Sequence, residues 1–153
     1  MQLFDDSVRT YEEFREPQES IYHFLNRSAR PKYKETRNLL EKWFQAYPEP
    51  YKLNLSKEFS SKPDNQHLGA FFELYCYSLL RFQGFDIKPQ QVVDKMKGNP
   101  VDFLVKSADT QHFYLEATVA ADSDKESISQ KILRQLYDAL STINEPNFLL
   151  EIN

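Results

Sequence analysis

Apolar residues recur at helical spacing as far as Gln83, and beyond it the period changes to that of strands. Residues 1 to 17 are charged and irregular up to Pro17. A short helix is predicted over 17 to 26, with Pro17 in its first turn. A better one runs over 31 to 47, where Tyr33, Leu40, Phe44 and Tyr47 share a face and Leu39 and Trp43 widen it. The prolines of "YPEP" at 47 to 50 end it. Residues 51 to 63 read as a linker or irregular arm that packs through Tyr51, Leu53, Leu55 and Phe59. The strongest helix spans 64 to 83. Asp64 or Asn65 caps its start, and Gly84 stands where a left-handed residue closes a helix.

The second half reads as strands and one more helix. "FDIKPQQVV" at 85 to 93 is a strand in which Pro89 marks an edge or a bulge. "DKMKGN" is a turn, "PVDFLV" at 100 to 105 a short apolar strand, and "SADTQ" a hairpin-type connection. "HFYLEATVA" at 112 to 120 alternates Phe113, Leu115, Ala117 and Val119 with Tyr114, Glu116 and Thr118. Polar "ADSDKES" opens a helix near Lys125, striped by Ile128, Ile132, Leu136, Leu140 and Ile143. "EPNFLLEI" closes as a strand, and an apolar strand with no exit suggests a fragment of a longer protein. This order predicts an α/β mixed sheet flanked by helices, preceded by a helical N-terminal extension.

Composition narrows the function. A chain of 153 residues suits one domain with a real core, and its 12 Phe and 9 Tyr mark it as globular. The net charge of −4 lacks the basic footprint of a tight, non-specific nucleic-acid binder, although a local patch suffices for contact. The single cysteine, Cys76, lies in an apolar helical pattern and reads as a buried thiol in a reducing compartment. The N-terminus has no apolar leader, and no uncharged run approaches the roughly 20 residues of a membrane helix. A cytoplasmic protein without membrane contact is expected. Three glycines leave no phosphate-binding loop, and no Cys/His cluster argues for zinc. His67 reads as a surface or capping residue. One basic segment, "NRSARPKYKETR" at 26 to 37, gathers Arg27, Arg30, Lys32, Lys34 and Arg37, which either track a phosphate backbone or form a solvated helix face.

Three carboxylates stand alone in apolar elements: Glu73 in "LGAFFELYCYSLL", Asp102 in "NPVDFLV" and Glu116 in "HFYLEATVA". An unpaired buried charge is costly, so each needs a partner. The strands bearing Asp102 and Glu116 are joined by a short connection, and an antiparallel pair brings those positions to one end of the sheet. Glu73 can reach the same place from the long helix. Clustered carboxylates repel unless a cation sits among them, and a hard divalent ion suits oxygen ligands. Each also has a plain alternative: a salt bridge to Arg81 or to a residue of the N-terminal segment for Glu73, a turn cap for Asp102, a Lys or Arg partner for Glu116.

Helix with Glu73, strand, strand with Pro100-x-Asp102, strand with Glu116, helix, strand: this series resembles the PD-(D/E)XK nuclease superfamily over about residues 64 to 152. The resemblance implies a restriction-endonuclease-like core at 64–153, truncated if the chain is a fragment, with 1–63 as an added helical extension. It implies Mg²⁺ or Mn²⁺ held by Asp102, Glu116 and the Ala117 carbonyl, with Glu73 assisting, and hydrolysis of phosphodiester bonds in nucleic acid. The family usually carries lysine two residues after the strand glutamate; here Thr118 takes that place, supplying a hydroxyl without charge. Losing one charge–phosphate contact in a dry site lowers rate on the order of 10²-fold. Lys131 on the following helix is a candidate replacement, although it falls on the polar face, and Gln130 lies nearer the apolar border. An inactive nuclease-like scaffold binding nucleic acid or protein is the alternative, and a purely structural domain with internally paired carboxylates is a third reading.

Overall fold

The first helix, α1 (Ile21–Arg27), starts where Ser20 accepts the His23 N–H on its hydroxyl at 3.3 Å. That cap sets the start after the expected Pro17. The computed structural model describes residues 1–16, 18–91, 101–107 and 111–119, with Ile132 and Gln135. It divides into two compact units, Met1–Val119 and Ala120–Asn153. The helix expected from Lys125 and the strand expected from Glu145 therefore fall almost wholly outside the described residues, as do Gln130, Lys131 and the turn at 94–99.

Helix α2 (Pro31–Ala46) follows its predicted stripe, burying Leu40 and Phe44 and ending at buried Tyr47. The expected arm at 51–63 is instead largely helix α3 (Glu49–Phe59). Pro50 lies in its first turn, where a missing N–H costs nothing, so the "YPEP" prolines end one helix and start the next. Tyr51, Leu55 and Phe59 then recur at four-residue steps, with Leu55 and Phe59 buried. Lys52, also buried, donates from Nζ to the Gln45 carbonyl at 3.1 Å and to Glu49 at 2.6 Å, tying α3 to the end of α2.

The N-terminal segment is inserted rather than loose. Leu3 and Phe4 are buried, and both of their N–H groups donate to one oxygen of Glu41 on α2, at 2.7 and 2.8 Å. Tyr22 of α1 stacks on Phe4 and donates its hydroxyl to the Leu3 carbonyl at 2.9 Å.

Helix α4 (Asp64–Phe82) starts where predicted and ends one residue earlier, but Asp64 does not cap it; its carboxylate accepts the Ile21 N–H at 2.8 Å and so caps α1. At the far end Gly84 has φ +87°, Phe85 N–H reaches the Leu80 carbonyl at 3.1 Å, and Gly84 N–H reaches Arg81 at 3.0 Å. This is the left-handed closure that only glycine adopts at no cost. His67, expected at the surface, is buried: its Nδ1–H donates to the Phe59 carbonyl at 2.6 Å and its ring meets Phe59 at 4.5 Å.

Burial lowers the His67 pKa from its ordinary 6.5. The unfolded chain therefore takes up the proton first, and stability is lost as pH falls below about 6.5. An NMR titration of the His67 ring should show a midpoint below 6.5; a midpoint at or above that value would refute the assignment.

The sheet is antiparallel, ordered β1 (Asp86–Gln91), β2 (Val101–Lys106), β3 (His112–Leu115). One register holds from Asp86↔Lys106 to Gln91↔Val101, with Gln90 left out of the pairing, and among the described strands β1 is an edge, one of the two readings of Pro89. Gln90 beside it has φ +51°, a left-handed strain of about 1–2 kcal/mol for a residue with a Cβ. Phe103 and Val105 are fully buried, and the Tyr77 ring of α4 lies 6.2 Å from Phe103. The parallel pairing that a mixed sheet requires is not seen among the described strands. One apolar core runs from Leu3 through Phe44, Phe59 and Leu74 to Val105, across the boundary expected at residue 63. No helix among the described residues is long and apolar enough to cross a membrane.

Candidate functional site

The hairpin of β2 and β3 brings two of the three carboxylates to one end of the sheet. Phe103 pairs with Leu115 in the last pair of the β2–β3 ladder, and Asp102 and Glu116 are the residues next to that pair. Asp102 turns its Oδ2 onto the Ala117 N–H at 2.5 Å, so the carboxylate and the Glu116–Ala117 segment are in direct contact. Strand β3 stops at Leu115, short of the expected 120. Glu116, Ala117 and Thr118 follow it outside the ladder, and both Glu116 and Thr118 are exposed. Without a ladder to fix the pleat, alternation no longer sets Thr118 on the face of Glu116.

Glu73 arrives from the middle of α4, half-buried, and accepts a short hydrogen bond from the Tyr47 hydroxyl on its Oε1. The alternative for Glu73, a salt bridge to Arg81, is not formed; Arg81 donates to the Tyr77 hydroxyl at 3.3 Å. Burial pushes the Glu73 carboxyl above the usual range; the Tyr47 bond opposes this, and the charges of Asp102 and Glu58 add to it. Burial likewise raises the Tyr47 hydroxyl and the Cys76 thiol, each with a contribution from Asp102. Asp102 is thus within electrostatic reach of Glu73, Tyr47 and half-buried Cys76.

Among the described residues, none of these three carboxylates forms an ion pair with Lys or Arg. Nor does any group of three His, Cys, Asp or Glu side chains there have a metal-holding arrangement. The sheet end offers two carboxylates and backbone oxygen, a donor set suited to Mg²⁺ or Mn²⁺ with the remaining positions filled by water. Glu73 stands behind it, tied to Tyr47.

The basic segment divides by use. Arg37 is buried, with its Nη1 donating to the Leu25 and Ser28 carbonyls at 2.6 and 2.9 Å, so it closes the end of α1 rather than tracking a phosphate backbone. Arg27 is paired with Glu19 and Glu16 and lies over the Tyr11 ring at 3.5 Å. Arg30 lies over Phe14 at 4.5 Å, which leaves Lys32 and Lys34 exposed on the first turn of α2.

Sequence reading missed Tyr47 and Glu41. Tyr47 fits the apolar stripe of its own helix, and its partner is 26 residues away; no local pattern marks the pair. Comparison with protein-family models, with curated proteins and with solved structures finds no match for this chain.

Proposed function

We propose that the chain is a nuclease-like, metal-dependent phosphodiesterase of restriction-endonuclease-like fold, acting on nucleic acid. The observation that carries this reading is the contact at the end of the β2–β3 ladder, where the Asp102 carboxylate accepts the Ala117 N–H beside Glu116. Two carboxylates beside one end of the ladder, neither in an ion pair with Lys or Arg among the described residues, favour a divalent cation. Such an ion, when bound, lowers the pKa of a water and neutralises charge developing on a phosphoryl group. Asp102 and Glu116 hold it, with the Ala117 carbonyl as a further ligand, and Glu73 orients water behind them. Thr118 lines the site, and Lys32 and Lys34 are the basic-segment side chains free to meet a phosphate backbone.

Thr118 also favours a second reading. It brings no charge to the place where the family usually holds lysine, and it lies outside the strand. A scaffold that binds nucleic acid or a protein partner without cleaving it fits that departure.

Calorimetry with Mn²⁺ on the intact chain tests the proposal. Binding should be abolished in both Asp102→Ala and Glu116→Ala, and the wild type should then cleave single- or double-stranded DNA or RNA in the presence of Mn²⁺. Heats that are identical for all three proteins, with or without added oligonucleotide, would refute the metal site. Binding without cleavage would select the scaffold.

A further inference from the structure

The N-terminal segment and α2 line a cleft of about 370 Å³. Its charged lining is Arg9, Arg37 and Lys42 against Asp5, Asp6 and Glu41. Formal charge cancels, but most of these groups are already spent. Asp5 accepts the Ser7 hydroxyl and N–H and the Asn26 amide, bonds that hold its carboxyl down to about 2. One oxygen of Glu41 takes two backbone N–H groups. Arg9 donates to the Ser7, Asp5 and Asn26 carbonyls and to the Asn26 side chain.

Arg37 is different. The residue is only 7 % exposed, and its Nη1 alone is used, on the two carbonyls at the end of α1. Among the described residues its Nε and Nη2 meet no acceptor, and no carboxylate lies at ion-pair distance. Burial lowers its pKa, and the nearby Arg9 lowers it further against a smaller opposing effect of Asp5. This buried guanidinium has no ion-pair partner among the described residues, and the repulsion of Arg9 exceeds the attraction of Asp5. The part of the fork not bound to α1 is the part left to face the cleft. Lys42 stands exposed and unbonded at the rim, as does Asp6.

We infer that this cleft binds a small organic anion, with its carboxylate or phosphate group seated bidentately on the Nε–Nη2 edge of Arg37 and Lys42 at the mouth. Two parallel N–H donors match either group. The volume exceeds a bare oxyanion and lies at the lower end of small-molecule sites, which leaves room for a short organic body. The site is separate from the Asp102 and Glu116 carboxylates, so it stands or falls independently of the metal proposal.

The test is an NMR titration of the ¹⁵N-labelled chain with inorganic phosphate and, separately, with acetate, against sodium chloride at matched ionic strength. The Arg37 Nε–H and the Asn38 amide should shift and saturate with at least one of the two anions; which one identifies the head group. Arg37→Lys keeps a donor for the α1 carbonyls and loses the fork, so the Asn38 response should weaken by about tenfold or more while the fold persists. Shifts no larger than those in chloride, or an Asn38 response unchanged in the folded Arg37→Lys protein, would overturn the inference and leave Arg37 as a helix cap alone.

Discussion

Truncating Phe59 to alanine is expected to cost about 3–5 kcal/mol, a large part of the stability of a domain this size. Phe59 has no accessible surface and closes α3 against three other elements. Its ring meets Phe4 edge-on at 5.9 Å, Tyr22 at 6.2 Å and His67 at 4.5 Å. Its removal forfeits transfer free energy and leaves a cavity that four rigid elements cannot collapse to fill. The check is the urea midpoint at unchanged slope, with Phe82→Ala as control, since Phe82 is 90 % exposed and its loss should stay within about 0.5 kcal/mol. Equal shifts in the two variants would mean that Phe59 does not hold the N-terminal segment. Phe4→Ala and Phe59→Ala should also be non-additive, because the two rings share one contact.

Glu73→Gln is expected to stabilise the protein at neutral pH by about 0.5–2 kcal/mol, the reverse of most substitutions at half-buried sites. The amide keeps an oxygen to accept the Tyr47 hydroxyl and removes a charge that burial and Asp102 both oppose. The sign of the pH dependence follows from the raised carboxyl. Between the ordinary glutamate value of 4.5 and the folded value, the folded chain binds more protons than the unfolded one. Stability therefore falls as pH rises through that window, and the slope should vanish in Glu73→Gln. Tyr47→Phe should act oppositely. It leaves a half-buried carboxylate oxygen unpaired, costs about 1–3 kcal/mol and raises the Glu73 carboxyl further. Thermal unfolding from pH 4 to 8 separates the three proteins, and a Glu73→Gln protein less stable than wild type at neutral pH would refute the account. If Glu73→Gln is more stable yet binds Mn²⁺ less well, the carboxylate is kept for a ligand and not for the fold.

What was legible in the sequence was local. Helices α2 and α4 announce themselves because their apolar residues repeat over several turns, and Gly84 marks the closure of α4 because few other residues adopt its φ. The short connection marked β2 and β3 as hairpin neighbours, and their ladder ends at Phe103↔Leu115, next to Asp102 and Glu116. The errors share a cause. Pro48 and Pro50 carry the same local meaning whether a chain stops or restarts, so α3 was hidden behind them. His67, Arg37 and Asp64 were read by what such residues do alone, in a cap or on a surface. Each is used by an element distant in the chain: Phe59 for His67, the end of α1 for Arg37, the start of α1 for Asp64. Strand β3 was overextended because "EATVA" continues the alternation after the ladder has ended.

The apolar core that crosses residue 63 bears on how this chain can be divided. A protein cut at Asp64 to isolate α4 and the sheet would carry α4 without the partners of Ala70, Leu74 and Tyr77, and would remove the main-chain N–H that Asp64 caps. The core residues of Met1–Val119 come from both sides of residue 63, so a fusion or insertion made there would divide one apolar cluster.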